Sequence, residues 1–326
     1  PISEWMETVL AASPFFGCDG RTRILLIGDL MLPDTASHSS LPAAELDRAI
    51  AWLQELESRE GEVRLRMVKE LSAEDADSLE GLAAAGYHRL HTEPEMVLRL
   101  ERSWKTMEDY KAALTKKYRQ RHRSARKKGA SVKCRELGAK ELSARHYDFQ
   151  FLLDAVSEQS AFCLAPESTE LYARLKEELG EDFVFRLYEL DGRPVGFSTA
   201  IRTPEGLIAH RVGLDYSVNR SNKLYQNMLY DYVGLAMELG CRQISYGRSA
   251  MEIKSSVGAE PQGRFLMVRH ADWISNHLLG WVLSMAKETP WTQRHPFKGR
   301  PAKAVEIVQA EKKIGCCILS CLSALA

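Results

Sequence analysis

Apolar side chains recur at three- and four-residue steps in several long stretches of the chain and alternate or cluster in shorter runs between them. This rhythm predicts a mixed α/β protein. "RILLIGDLM" (23–31) reads as a buried strand. Over 41–61, Leu46, Ile50, Leu53 and Leu56 keep helical spacing and Gly61 ends the segment. Residues 62–71 alternate around Val63, Leu65 and Val68 and read as a strand. "AEDADSLEGLAAAGY" reads as a short helix, and 88–101 as a strand interrupted near Pro94. The first hundred residues thus follow a β-α-β-α-β order, that of a compact α/β unit.

The second half repeats the class with another order. Residues 103–129 lack proline and end in Gly129, which predicts one helix or two in series. Residues 130–137 read as a strand. "KELSARHYDFQFLLDAVSEQS" and "PESTELYARLKEELG" read as helices, the latter capped by Ser168. Three strands joined by "DGRP" and "PEG" turns form a meander over 182–215. A helix over 220–240 aligns Leu224, Met228, Tyr232, Leu235 and Leu239 on one side, and "CRQISYG" and 263–270 add strands.

Composition narrows the function classes. A chain of 326 residues suits two domains, and 45% apolar with 27% charged residues is ordinary for a globular protein. Lys+Arg and Asp+Glu are equal at 44 each, so electrostatic function must come from a local cluster. Seven cysteines without a CxxC pair argue against a disulfide framework or structural zinc and for a reducing, cytoplasmic setting. No run reaches the ~18 apolar residues of a membrane span, so no stable membrane insertion is expected. "PISEWMETVL" lacks the pattern of a secretory signal. His88 and His91 face opposite ways on a strand, and no metal site is expected. GxSxG, Walker, GxGxxG and HExxH motifs are absent. The tail "GCCILSCLSALA" invites S-acylation; docking of a last strand or helix on the core is the simpler reading.

Three stretches carry candidate chemistry. Residues 116–128, "KKYRQRHRSARKK", hold eight Lys/Arg in thirteen positions, more than one helix face can bury. Phosphates suit such a cluster, and a solvated helix face is the alternative. Next, the loop Ser217 to Asn222 leads from a strand end at Asp215 into a helix, where unpaired backbone N–H groups favour anions. Arg220 and Lys223 add positive charge there, and an ordinary helix cap reads the same way. Finally, "YGRSAMEIKSSVGAEP" (246–261) places Arg248 and Lys254 just beyond a strand end, where core packing calls for neither. A right-handed crossover would set strand 242–247 parallel to strand 207–215, and ligands bind at the carboxyl ends of such strands.

These residues resemble the GNAT-like acyltransferase domain of the Fem-type aminoacyltransferases of peptidoglycan and their acetyltransferase relatives. One stretch is Trp104, Arg119, Arg123, Ala125, Lys127 and Gly129 along the basic segment. A second is the meander ending at Asp215; a third is helix 222–240 followed by the Gly247, Arg248, Lys254, Gly258 series. Order and spacing carry the match over about residues 100 to 262.

The resemblance implies tandem GNAT-like α/β (α+β) domains with mixed central sheets flanked by helices. The boundaries would be a first domain at 1–104, a basic connecting helix at 105–129, an acyltransferase domain at 130–304 and a tail at 305–326 packing on the first domain. It further implies a split between strands 207–215 and 242–247 that holds the arm of an acyl-CoA or acyl carrier protein. His210, Val212, Asn219, Arg220, Ser221, Asn222, Lys223, Arg119 and Arg123 would bind the donor. Asp215 would take the proton of the attacking amine, Tyr246 would serve the leaving group, and Arg248 and Lys254 would stabilise developing charge. An internal ion pair of Arg248 or Lys254 with Asp215 or Glu252 is the structural alternative. "VNRSNK" lacks the glycines of a standard phosphate loop, which leaves room for acyl carrier protein or aminoacyl-tRNA as donor. The acceptor would be a small-molecule or peptide amine. The reading from another class is an inactive module that binds a peptide or glycan.

Overall fold

The computed structural model describes residues 23–28, 63–73, 76–159, 167–284 and 290–299. The helix expected at 41–61, the N-terminal segment and the tail at 305–326 lie outside these residues. Two mixed sheets flanked by helices make the fold, an α/β class as the periodicity predicts and a sheet arrangement as the resemblance implies. The first has the order β1 (Arg23–Ile27), β2 (Val63–Leu71), β11 (Phe265–His270), β3 (His88–His91). β1 runs parallel to β2, and β11 is antiparallel to both its neighbours. Helix α1 (Ala76–Ala84) connects β2 to β3.

The second sheet has seven strands. Its order is β10 (Glu260–Gln262), β4 (Glu95–Arg99), β9 (Gln243–Ser245), β8 (Leu207–Leu214), β7 (Arg193–Arg202), β6 (Phe183–Leu190), β5 (Lys133–Glu136). The sheets therefore exchange strands. The break at Pro94 sends β3 to the first sheet and β4 to the second. β11, expected with the second half, pairs with β2 and β3 instead. Pairing across long sequence separation leaves no trace in local periodicity.

Each face of the second sheet has its own core. Phe149 and Leu152 of α4 (Ala139–Glu158) and Tyr172 of α5 (Glu170–Leu179) pack on Phe183, Phe185 and Phe197. On the other face, Leu229, Tyr230 and Val233 of α7 (Leu224–Glu238) meet Leu98, Ile244 and Tyr110. Burying each such side chain stabilises the fold by about 1.5–3 kcal/mol. α5 follows Thr169 rather than Ser168, although Ser168 Oγ still accepts the Glu170 N–H.

Residues 103–129 form two helices in series, α2 (Met107–Ala113) and α3 (Lys116–Lys128). Thr106 and Asp109 make a reciprocal capping box at the start of α2. Leu114 is extended, and the Thr115 N–H turns to the Pro296 carbonyl at 2.8 Å. The helix expected over 220–240 also divides, into α6 (Tyr216–Asn222) and α7, because Lys223 adopts a left-handed backbone at φ 53°. The short helix α8 (Met251–Ser255) and strand β10 lie between β9 and β11, β10 without a trace in the periodicity, and α9 (Trp273–Ser284) is the last helix among the described residues.

Candidate active site at a strand split

β8 and β9 are adjacent and parallel, as the right-handed crossover predicts. Their register covers only Leu207–Ile244 and Ile208–Ser245. Beyond Ser245 the chain stays with β4: the Tyr246 N–H donates to the Met96 carbonyl at 2.9 Å, and the Met96 N–H to the Gly247 carbonyl at 3.1 Å. β8 meanwhile stays with β7 as far as the Asp215 N–H, which donates to the Val195 carbonyl at 2.9 Å. The sheet thus splits between two strands that each keep their outer neighbour. The β8 edge from Ala209 onward faces the gap with its backbone groups outside the ladder, a row of donors and acceptors for an extended ligand.

Two features shape β8 along the gap. A register shift opposite Thr199 sets His210 and Arg211 side by side. Thr199 Oγ1 accepts the Arg211 N–H at 2.9 Å and lies 3.2 Å from His210 Nδ1. Tyr232 Oη, from α7, donates to the Thr199 carbonyl at 3.0 Å and fixes this irregularity from below. Arg211 points to Glu167, Nε to Oε2 at 2.6 Å, and Tyr172 Oη donates to the other oxygen of Glu167 at 3.0 Å. His210 is therefore buried in the sheet, and Val212 packs beside Leu214 and Leu224.

The loop at the carboxyl end of β8 is occupied by its own side chains. Asp215 Oδ1 caps α6 by accepting the Ser217 N–H at 2.9 Å and the Ser217 hydroxyl at 2.6 Å. Asn219 Oδ1 accepts the Tyr225 N–H at 3.0 Å, taking one of the orphan donors that open α7. Ser221 Oγ and Asn222 Nδ2 both turn back to the Val218 carbonyl. Arg220 is exposed, and Lys223 carries the left-handed turn that a glycine would otherwise make.

α3 lies against this loop. Tyr118, His122 and Ala125 are its buried positions, spaced four and three apart. Asn227 Nδ2 donates to the Ala125 carbonyl at 2.9 Å and to the Asn222 carbonyl at 3.2 Å. A Cβ at Gly129 would stand 2.4 Å from that nitrogen, so close approach explains the glycine. Arg126 pairs with Asp231 at 2.6 Å, and Asp231 also accepts from Tyr188 Oη at 2.9 Å. Lys116, Lys117, Arg121, Arg123, Lys127 and Lys128 remain exposed. Arg119 bonds the Ala112 carbonyl at 3.5 Å, and Arg123 reaches Gln120 at 3.4 Å.

At the carboxyl end of β9 the polar residues serve the seam between the sheets. Tyr246 is buried and its hydroxyl donates to the Leu229 carbonyl at 2.8 Å. Burial, with neighbouring Tyr232, holds its phenol well above the ordinary range. Arg248 pairs with Glu70 of β2 at 2.5 Å, not with Asp215 or Glu252; Glu252 pairs with Arg294 at 2.6 Å. Lys254 is buried and donates to the Arg248 carbonyl. Gly247, Ser249 and Ala250 all have left-handed backbones, at φ 68°, 60° and 47°. Two of the three carry side chains, a concentration of strain typical of ligand sites. Glu70 is fully buried, also left-handed at φ 66°, and burial raises its carboxyl despite Arg248 and Lys69. Nothing near Glu70 in sequence advertises this partnership. Among the described residues no cluster of His, Cys, Asp and Glu could hold a metal ion, and no helix is long and apolar enough to cross a membrane.

Residues 116–255 match the family described as acetyltransferase (GNAT) domain. The fold is similar to the crystal structure of FemX, with TM-score 0.51 and 10% identity over 78% of this chain and 85% of that one. L-PGS from Bacillus licheniformis aligns with TM-score 0.46 and 10% identity over 73% of this chain and 78% of its own. A GCN5-related N-acetyltransferase from Sphaerobacter thermophilus aligns with TM-score 0.43 and 15% identity over 69% and 66%. A sequence comparison with curated proteins gives no match.

Proposed function

We propose that the protein moves an acyl group from a thioester donor, acyl-CoA or acyl carrier protein, to an amine; the match of residues 116–255 to the acetyltransferase (GNAT) domain family and the fold's similarity to FemX support this reading. The split between β8 and β9 is the observation that carries this reading. A pantetheine-like arm has amides that can complete the ladder β9 abandons, pairing with β8 from Ala209 onward. Its thioester would then lie towards the widening, carboxyl-terminal end of the gap.

Roles follow from the surroundings. Asp215 is the carboxylate at the end of β8, half-exposed and ordered by Ser217, and would take the proton of the attacking amine. Arg248 and Lys254 bring positive charge to the end of β9, where charge develops on the thioester oxygen. Arg248 would do so while held by Glu70, which supports a preorganised rather than a mobile cation. Tyr246, its hydroxyl committed to Leu229, would shape the gap rather than serve the leaving group directly. His210 and Val212 would contribute backbone groups; Arg220, Ser221, Asn222, Lys223, Arg119 and Arg123 would meet the distal part of the donor. Asn219 already caps α7, which weakens the case for a diphosphate seated at that helix start.

That cap, with six exposed cations on α3, supports a second donor, an aminoacyl-tRNA gripped by α3. Thermal shift with free CoA, acetyl-CoA and a long-chain acyl-CoA tests the first reading. A ligand at ~100 times its dissociation constant adds roughly 2.7 kcal/mol to stability. Salt-sensitive tRNA binding, without any CoA shift, would replace the first reading with the second.

A further inference from the structure

β8 carries an irregularity that re-aims a charge. Neighbouring residues of a regular strand point to opposite faces of the sheet. At the register shift Thr199 stands opposite both His210 and Arg211, and both side chains turn towards α5. The His210 ring stands edge-on to Tyr172 at 6.4 Å. Arg211 Nε donates to Glu167 Oε2 at 2.6 Å, and Tyr172 Oη donates to Glu167 Oε1 at 3.0 Å. Bulges of this kind recur beside active sites, where they redirect a side chain. Glu167 is fixed along its backbone as well. Gln150 Nε2, from α4, donates to the Glu167 carbonyl at 3.0 Å, and Gln150 Oε1 accepts the Thr169 N–H at 2.9 Å. The pair is thus held rigid from within, by a Tyr172 that is fully buried. It is open from without: the side chains of Glu167 and Arg211 keep 15% and 25% of their surface accessible. Among the described residues Arg211 Nη2 has no partner.

Position gives the pair its meaning. Arg211 sits just past the point where β8 parts from β9. The basic helix α3 packs with α7 on one face of the second sheet, and α4 and α5 cover the other. A donor gripped from the α3 side leaves the α5 side of the gap to the acceptor. We propose that Glu167 and Arg211 are the acceptor subsite, and that the acceptor is a free α-amino acid with its ammonium on Glu167 and its carboxylate on Arg211. The assignment rests on the acyl-transfer reading above. Charge selects the class. The pair is neutral as a unit, as a zwitterion is. An anion alone would meet the Glu167 carboxylate beside the guanidinium. An amine alone, or a peptide N-terminus, brings no carboxylate to Arg211 Nη2. A guanidinium fork holds a carboxylate in a fixed orientation, which fixes the amine beside it.

The test is titration calorimetry on the full chain, without donor and again with free CoA. The probes are the standard amino acids, each beside its α-amide, which lacks the carboxylate, and its des-amino acid, which lacks the amine. At least one amino acid is expected to bind, and both of its analogues to bind about tenfold more weakly or worse, the loss of one charged hydrogen-bonded contact. Glu167→Gln and Arg211→Gln are each expected to weaken the amino acid by a similar factor. The comparison of acid, amide and des-amino acid is made on wild type, so it stays decisive should a variant fail to fold. An amide or des-amino acid that binds as tightly as the amino acid would overturn the proposal. So would unchanged binding in a folded variant, or no binding by any amino acid in either arm. The CoA titration separates the two readings. CoA binding without amino acid binding removes the subsite and leaves acyl transfer standing. Amino acid binding with the expected losses, but no CoA binding, keeps the subsite and removes CoA as the donor.

Discussion

Arg248 is held by Glu70, a residue 178 positions earlier in the chain and in the other sheet, through a 2.5 Å contact to a fully buried carboxylate. Glu95 of β4 is paired with Arg264, just before β11, in a second contact between the sheets. The candidate mouth of the active site is therefore also the seam of the fold, and a change there alters stability as well as chemistry.

Arg248→Ala is expected to cost about 3 kcal/mol at neutral pH, because it takes the nearer cation from a buried carboxylate and leaves Lys69 at 3.6 Å. The cost should shrink towards pH 4, where Glu70 takes up a proton. Chemical denaturation at the two pH values checks this; equal losses at both would contradict it.

Burial raises the Glu70 carboxyl above its ordinary value of 4.5. The folded chain thus holds this proton more tightly than the unfolded chain. The resulting stabilisation is complete below the ordinary carboxylate range and is lost as pH rises through the raised value. The stability of wild type minus that of Glu70→Gln is therefore expected to fall as pH rises above the ordinary value of 4.5 and through the raised one. A difference that rises over this window would show that the ion pair outweighs burial.

His122 has the opposite sign. Burial, helped by Arg126 and Lys111, pushes its imidazole down to about 4. Its stabilising contribution is present above the ordinary value of 6.5 and is lost as pH falls towards 4. The full loss is on the order of 3 kcal/mol. Imidazole resonances should show His122 neutral at pH 5; ordinary titration near 6.5 would refute the burial argument.

The sequence made much of this site legible, and the limits have physical causes. Periodicity and turn residues located β8, β9 and their parallel pairing, since those signals are local. The cations at 248 and 254 stood out because they follow a strand end, although both serve the seam: Arg248 pairs with Glu70, and Lys254 bonds the Arg248 carbonyl. Glu70 did not stand out, because its partner is fixed by an exchange of β4 and β11 between sheets. The break at Lys223 was hidden for another reason: a lysine in left-handed backbone looks like any helix residue. Gly258 was legible as a glycine, but its purpose was not.

Gly258 has φ 104°, and a Cβ there would meet Phe297 at 2.2 Å. Phe297 in turn packs on Tyr110 and Trp104. Gly258→Ala should therefore lower stability by about 2 kcal/mol or more, through strain and overpacking. A melting temperature equal to wild type would contradict this packing.

The most direct test of the split as a donor site is hydrogen exchange with and without saturating acyl-CoA. The account predicts slowed exchange in Ala209–Leu214 of β8 and in Tyr246–Arg248, with the rest of the second sheet unchanged. Protection confined to other elements, or none with acyl-CoA, acylated carrier protein and aminoacyl-tRNA each in turn, would contradict it.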